Sequence, residues 1–384
     1  MENLIEKIPE GVSFYGTWSN DGSWNDFLVG HKMFYFDPIY GYKPLKNAAI
    51  IHNRSEKEKY LYISDNDGFV PNQIPFVSAC ERIKKARENN LKVIFILGGS
   101  TVFGTGSRTP DENIASHLEK ILNAEKQKCI VINAGIGGFS TDNQLRYLMY
   151  RVLSLKPDHV IFYDGWNDSS YINALLKTYG DAYERGYTRQ SYSLIERHQL
   201  MMGFGKMFFY SAKFGTRLFF ERFRKVPLIG SASYKLMKKM APTVFYSTVS
   251  HFSGVGSCKP GEVDSRSVEY YYANLKLANT LCAAQTTVFT HFFQPLLVCG
   301  NKPMTENERR IYDREPDADK KEANLFYDMF EKDYLPLPDF ANISLRKAFD
   351  AVNEESFIDS GHLNSKGNEI IAQHIAQYMT PQLN

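Results

Sequence analysis

Apolar and polar residues alternate in blocks along the chain, and these blocks predict buried strands separated by helices. A run at 91–97 (LKVIFIL) that is apolar except for Lys92 follows a charged segment at 79–90 (ACERIKKARENN) whose apolar residues have helical spacing. Because a strand buried on both faces is apolar throughout, this run is typical of a parallel strand in an α/β protein. Further strands are predicted at 129–133, 159–165 and 286–297, and further helices at 113–127, 141–155, 267–285 and 368–379.

The order of these elements predicts the domain organisation. Strand, helix, strand in succession gives a parallel sheet with helices on both faces, which is a three-layer α/β/α sandwich. This main domain is expected at 91–171 and 265–384. Residues 1–90 hold short apolar runs between turn-forming residues, which predicts a partly β lead-in packed on the main domain. The stretch 172–264 is an insertion, predicted as helical and a candidate lid.

Small polar residues follow three of the predicted strands. The loops read GGST at 98–101, NAGIGGFST at 133–141 and DGWND at 164–168. In an open parallel sheet, ligands bind just outside the carboxyl ends of the strands, where such loops converge. We therefore expect the functional site at this edge of the sheet.

A nucleophile and its base are the first candidates at that edge. Ser100 follows the first strand after two glycines, which permit a tight turn and leave its hydroxyl uncrowded. Near the end of the chain, Asp359 lies three residues before His362 in FIDSGHLN. This spacing can place the carboxylate against the imidazole Nδ1, so that Nε2 takes the serine proton. The sequence thus predicts a catalytic triad of Ser100, Asp359 and His362.

Donors for an oxyanion are available in the neighbouring loops. Gly138 and Ser100 can each present a backbone N–H, and Asn167 can add a side-chain amide. Each of these residues taken singly is equally well read as an ordinary turn or cap residue. Their joint occurrence at strand ends favours one shared oxyanion hole formed by Ser100, Gly138 and Asn167.

The four blocks GGST, NAGIGGFST, GWND and DSGHLN resemble the four signature blocks of the SGNH (GDSL-like) hydrolases, in the same order. The resemblance spans about 90–171 and 265–380. It implies a flavodoxin-like parallel sheet and a serine esterase that uses no cofactor and no metal. The family's signature residues would fall on Ser100, Gly138, Asn167 and His362, with Asp359 as the third member of the triad.

One departure from the family pattern bears on the substrate. The usual Gly-Asp-Ser is replaced by Gly98-Gly99-Ser100. The Gly-Gly-Ser-Thr form resembles a branch of the superfamily in which many members act on acylated carbohydrates. The expected substrate is therefore an acyl ester, in particular an O-acetyl ester, on a glycan-related molecule. Two alternatives stay open: an O-acyltransferase with the same triad, and a non-catalytic carbohydrate-binding protein.

Other functional classes fit the sequence less well. Gly135, Gly137 and Ser140 partly match a dinucleotide-binding loop, with Asp158 at the expected distance, but the third glycine is missing. Asp158 also stands at the entrance of a strand and not at its carboxyl end. The glycine-rich stretch 98–106 lacks the lysine of a P-loop, and the nine histidines form no metal-binding motif. No cofactor and no metal are expected.

Composition and charge limit the classes of partner and the kinds of covalent or metal site that are expected. The chain has 384 residues, with 45 Lys and Arg against 43 Asp and Glu, and this balance of +2 favours no nucleic-acid partner. The five cysteines are scattered, which predicts buried free thiols and neither a disulfide framework nor a zinc site. The printed chain shows no leader segment and no run of about 18 apolar residues, so the expected location is cytoplasmic.

The predicted insertion is strongly basic in its middle part. Between residues 184 and 239 there are twelve Lys or Arg against three Glu, interleaved with aromatic residues. Amphipathic helices packed on the main domain would give this pattern, with the cationic side chains extended into water. Peripheral contact with an anionic membrane and binding of an anionic glycan are the two other interpretations.

Overall fold

The computed structural model describes residues 4–19, 34–37, 39–54, 58–170 and 261–383. The insertion expected at 172–264, with its basic part at 184–239, therefore lies outside the described residues apart from positions 261–264. The described residues before position 90 form strands β1 (Ser13–Ser19), β2 (Phe34–Asp37), β3 (Gly41–Pro44), β4 (Ala48–Asn53) and β5 (Lys59–Ser64) and helix α1 (Ala79–Glu88).

The remaining described residues form an α/β unit. Its strands are β6 (Lys92–Gly98), β7 (Cys129–Asn133), β8 (His159–Asp164), β9 (Val288–Phe293) and β10 (Ala341–Ser344). Its helices are α2 (Ser100–Phe103), α3 (Ile114–Leu122), α4 (Thr141–Tyr147), α5 (Ser265–Ala283), α6 (Glu306–Arg314), α7 (Asp317–Asp333) and α8 (Ser365–Leu383).

Strands β6 to β10 form one parallel sheet in the order β10-β9-β8-β6-β7. Numbered from β6 along the chain, this is the flavodoxin-like strand order, and the predicted α/β sheet is confirmed. The chain runs from β6 to β7 on one side and then crosses to β8 on the other. The topological switch point therefore lies between β6 and β8, where ligands of such sheets bind.

Helices α3 and α8 cover one face of this sheet. Ile94 and Ile96 of β6 are fully buried in one cluster with Leu118 of α3 and Ile375 of α8. Side chains on a strand alternate between the two faces, so the residues between these isoleucines must be covered from the other side. The apolar run that predicted a strand with two buried faces is explained by this arrangement.

The opposite face is packed with aromatic residues. The Phe95 ring lies 5.8 Å from the Phe69 ring, centroid to centroid. On β9, the His291 ring lies 5.7 Å from the ring of Tyr271, which belongs to α5. Helices on both faces give the three layers that the sequence predicts.

Some elements differ from the sequence-based expectations. The helix predicted over 141–155 ends at Tyr147 and continues as a π-turn (Leu148–Val152) and a 3-10 turn (Leu153–Leu155). Strand β10 was not predicted, because it has only four residues and all four are half-buried at the edge of the sheet. Helices α6 and α7 were not predicted either, since charged residues interrupt their apolar spacing.

The lead-in strands form a three-stranded sheet, β1-β4-β5, and a separate pair, β2-β3. This part is attached to the α/β unit by main-chain hydrogen bonds. The Leu61 N–H of β5 donates to the Arg108 carbonyl at 2.9 Å, and the Val70 N–H donates to the Asn133 carbonyl at the end of β7. The lead-in is thus joined directly to the loops at the carboxyl edge of the main sheet.

Three of the cysteines are buried thiols, as predicted. Burial raises the pKa of Cys129, Cys282 and Cys299 to about 12. Cys80 is half-buried and also free, and Cys258 lies outside the described residues. Among the helices that the structure describes, none has both the length and the apolar character needed to cross a bilayer.

Candidate active site

The turn that carries Ser100 needs glycine at the two preceding positions. A Cβ atom at Gly98 would lie 2.5 Å from the Tyr163 carbonyl oxygen, and one at Gly99 would lie 2.5 Å from Nδ2 of Asn167. Any side chain there would therefore push β6 away from β8 or displace the asparagine. Ser100 begins α2 directly after this turn and is 5% exposed.

The predicted nucleophile and base are in contact. Ser100 Oγ lies 2.6 Å from Nε2 of His362, although the two residues are 262 positions apart in the chain. On the other side of the imidazole ring, Nδ1 lies 2.8 Å from Oδ2 of Asp359. The second carboxylate oxygen of Asp359 accepts from the N–H groups of Gly361 and His362, at 3.1 and 2.8 Å. Serine, imidazole and carboxylate thus form one continuous chain of hydrogen bonds.

Asp359 is held in its charged form. Partial burial alone would raise the pKa of this carboxyl, but the adjacent His362 and the two backbone N–H donors outweigh that effect and lower the pKa to about 2. About a third of the side chain is exposed, so solvent also stabilises the charge. The carboxylate can therefore orient the imidazole and stabilise a positive charge on it.

The Trp166 ring packs against both the His362 imidazole and the preceding Gly361. The rings of Trp166 and His362 meet edge to face, with centroids 4.9 Å apart. A Cβ atom at Gly361 would lie 2.3 Å from the Trp166 ring, so only glycine fits beside it. This contact fixes the plane of the imidazole.

The two loops expected to supply oxyanion donors meet beside Ser100. Gly138 has φ +77°, a backbone conformation that glycine adopts without strain. The side-chain amide of Asn167 donates to the carbonyl of Phe139, the next residue, at 2.7 Å. The same amide nitrogen carries a second N–H. In addition, a Cβ atom at Gly135 would lie 2.3 Å from the Phe103 nitrogen, so this loop packs directly on α2.

Asp168 links its own loop, which follows β8, to the loop that follows β7. Its buried carboxyl group accepts from the Thr141 N–H at 3.0 Å and lies 2.5 Å from the Thr141 hydroxyl. Burial, together with the nearby carboxyl of Asp164, raises the pKa of Asp168 well above its usual value. Asp168 therefore anchors the loop of Gly138 to the loop that follows β8.

A buried ion pair supports the segment that leads into Asp359. Lys302 and Glu308 are in contact at 2.8 Å, with side-chain exposures of 2% and 0%. The other oxygen of Glu308 accepts from the N–H groups of Ser356 and Phe357, at 2.9 and 3.2 Å. The position of the loop that carries His362 thus depends on a carboxylate in α6.

The structure brings the three predicted triad residues into contact, and it brings the loops of the two other predicted residues next to them. Ser100, His362 and Asp359 are hydrogen-bonded, and the loops of Gly138 and Asn167 are joined next to Gly99. Sequence reasoning missed Gln294, whose side chain contacts two of these loops. The rule that ligand-binding loops follow the strands could have found it, because Gln294 directly follows β9.

The dinucleotide interpretation does not fit this geometry. Asp158 accepts from the N–H of Val93 and from the guanidinium of Arg87, at the amino ends of the strands. It therefore lies at the opposite end of the sheet from the loop of Gly135. Within the described ranges, His, Cys, Asp and Glu side chains form no group of three or more that could hold a metal ion.

No protein-family model matches this chain, and no curated protein matches it. Several solved structures are similar to it. One is a lipase/acylhydrolase from Enterococcus faecalis, which is 14% identical to this chain. The similarity covers 77% of this chain and 98% of the lipase/acylhydrolase, with a TM-score of 0.38. An acetyl xylan esterase is 14% identical over 74% of this chain and 98% of its own, with a TM-score of 0.37.

A third similar structure is a psychrotrophic esterase from Pseudoalteromonas. It is 15% identical to this chain. The similarity covers 76% of this chain and 99% of the esterase, with a TM-score of 0.37. At these identities and TM-scores, the likeness carries no conclusion about activity. The function is therefore inferred from the residues of the site.

Proposed function

We propose that the protein is a serine esterase of the SGNH type that hydrolyses an acyl ester, in particular an O-acetyl ester on a carbohydrate. The hydrogen-bonded series Ser100, His362 and Asp359 supports this proposal most strongly. The distance of 2.6 Å lets Nε2 of His362 take the proton of Ser100 Oγ, and the distance of 2.8 Å lets the Asp359 carboxylate orient the imidazole.

The acylation step uses this series. Ser100 Oγ attacks the ester carbonyl carbon while Nε2 of His362 accepts the hydroxyl proton. Asp359, whose pKa is lowered to about 2, stays ionised and stabilises the imidazolium. The N–H groups of Ser100 and Gly138 and the amide of Asn167 stabilise the negative oxygen of the tetrahedral intermediate. Its collapse transfers the proton from His362 to the departing alcohol, which on a glycan is a sugar hydroxyl.

Release of the acyl group reverses these roles. Water donates a proton to His362 as its oxygen attacks the acyl-serine, and collapse returns the proton to Ser100 Oγ. A sugar hydroxyl in place of water would make the same residues an acyltransferase. Product analysis with a glycan acceptor separates the two reactions: free acid is expected, and acylated glycan accumulating faster than acid would overturn hydrolysis.

The test of the proposal is direct. The purified protein is expected to hydrolyse a short-chain aryl ester and to form a fluorophosphonate adduct on Ser100, and Ser100→Ala should abolish both. Ser107→Ala is a matched control, because Ser107 is also buried and its hydroxyl accepts from the amide of Asn368. Full hydrolysis by Ser100→Ala would exclude Ser100 as the nucleophile.

A further inference from the structure

Gln294 occupies a central position at the carboxyl edge of the sheet. It is the first residue after β9, and 5% of it is exposed. Its main-chain N–H donates to the carbonyl of Asp164 at the end of β8, and its own carbonyl accepts from the hydroxyl of Tyr327, both at 2.8 Å. The backbone of Gln294 is therefore fixed on both sides before its side chain makes any contact.

The side-chain amide of Gln294 joins the two catalytic loops. Its nitrogen Nε2 donates to Oγ1 of Thr101 at 3.0 Å and to the carbonyl of Gly361 at 3.2 Å. Thr101 directly follows Ser100, and Gly361 directly precedes His362. Because a carbonyl oxygen only accepts, the contact with Gly361 requires the nitrogen, and not the oxygen, of the amide at this position.

We propose that Gln294 is a positioning residue that holds the turn of Ser100 and the loop of His362 at a fixed separation. The inference rests on the proposed function, because the separation matters only if the two residues react together. Both N–H groups of the amide are used within the protein, so Gln294 acts through Thr101 and Gly361 and not on the substrate.

The expected size of the effect follows from the geometry. Ser100 Oγ and His362 Nε2 are 2.6 Å apart, but they are carried by loops that are joined only through the tertiary structure. Displacement of a reacting group by about 1 Å can lower a rate about a hundredfold. Methionine has nearly the length of glutamine but no donor, so Gln294→Met removes the bridge and largely preserves the packing.

Gln294→Met is expected to lower kcat for an aryl acetate about a hundredfold and to slow fluorophosphonate labelling of Ser100 by a similar factor, with KM within about twofold of wild type. Asn123→Leu is the matched control. The Asn123 amide also bridges the main chain, at the amino end of β7, where it donates to the carbonyl of Cys129. This control is expected to lose stability and to keep the wild-type kcat.

A second pair of variants tests the bridge if Gln294→Met fails to fold. Thr101→Val removes the hydroxyl that accepts from Gln294, and Thr101→Ser keeps it. Thr101→Val should lower kcat, and Thr101→Ser should recover the lost rate. In the double variant of Gln294→Met and Thr101→Val, kcat should be no lower than in Gln294→Met alone, because both changes break the same connection.

The outcomes separate this inference from the proposed function. If wild-type Ser100 is not labelled by the fluorophosphonate, the proposed function fails. If wild type is labelled and folded Gln294→Met reacts at the same rate, or raises KM without lowering kcat, the positioning role of Gln294 is wrong. Full additivity of the two changes, or a kcat for Thr101→Val equal to that of wild type, would also overturn it.

Discussion

Removal of the Lys302 ammonium group should strongly destabilise the protein, because this lysine is buried in an ion pair. Its ammonium group contacts Glu308 and donates to the carbonyls of Val352 and Glu354, at 3.1 and 2.9 Å. Replacement by methionine keeps most of the apolar stem and removes the charge. Glu308 then remains buried without its counter-ion.

The magnitude follows from the burial of both partners. With 2% and 0% of the side chains exposed, solvent cannot replace the lost interaction. Breaking a buried pair by removing one partner costs about 3–5 kcal/mol of unfolding free energy. The exposed pair of Lys85 with Glu81 on α1, at 2.9 Å, provides the matched control, and Lys85→Met should change stability little.

The loss should depend on pH in a defined direction. In the wild type, burial alone would raise the pKa of Glu308, but Lys302 and the N–H donors outweigh it and lower the pKa below its usual 4.5. The stability that this group contributes is therefore complete above about pH 4.5 and is lost as pH falls through the lowered value. In Lys302→Met, burial dominates and the pKa of Glu308 rises, so acid neutralises the unpaired charge. The difference between wild type and variant should shrink from pH 7 to pH 4.

Urea unfolding followed by tryptophan fluorescence measures these differences at each pH. Adding Glu308→Gln to Lys302→Met should recover part of the stability at pH 7, because the neutral amide oxygen can still accept from Ser356 and Phe357 without carrying a buried charge. A loss for Lys302→Met below about 1 kcal/mol at pH 7, or a loss that grows in acid, would refute the assignment of a buried ion pair here.

Three further predictions concern the site. Asp359→Asn should lower kcat about 10³–10⁴-fold with little change in KM, because the imidazolium loses its charged partner; wild-type kcat in steady-state assays would contradict its role. Gly361→Ala should displace the ring of Trp166, because a Cβ at this position would lie 2.3 Å from it, and should therefore lower both kcat and Tm. Unchanged values of both would show that the contact with Trp166 does not hold the loop in place. Gly138→Ala should lower the free energy of unfolding, measured with a denaturant, by about 1 kcal/mol, because the φ of +77° at this position strains any residue with a Cβ. The same change should lower kcat more than it changes KM. An effect on stability alone would show that Gly138 is not part of the oxyanion hole.

The strands and their loops were predictable because their signals are local. The residues of β6 to β9 are mostly apolar on both faces of each strand, and this pattern identifies strands with two buried faces before any contact is known. The carboxyl end of a parallel strand is then fixed by chain direction, so GGST, NAGIGGFST and GWND could be placed at one edge of the sheet. The spacing of Asp359 and His362 is likewise local, within one turn of chain.

Other features had no local signal. Strand β10 is recognisable only from its pairing with β9, since its four residues are half-buried and not strongly apolar. Gln294 falls within the stretch 286–297 that the sequence predicts as a strand, and Lys302 and Glu308 stand in a polar stretch of sequence. Their importance comes from partners that lie far away in the sequence, such as Thr101 for Gln294 and Ser356 for Glu308.

The sequence by itself located the strands and the polar loops at their carboxyl ends, because the signals for strand burial and for turns lie in neighbouring residues. Only the tertiary structure decided that Ser100 and His362, 262 positions apart, come within 2.6 Å of each other. That distance depends on the order of the strands, on the glycines that let the loops approach, and on the buried side chains beneath them. These contacts form together when the chain folds, and no local segment specifies them.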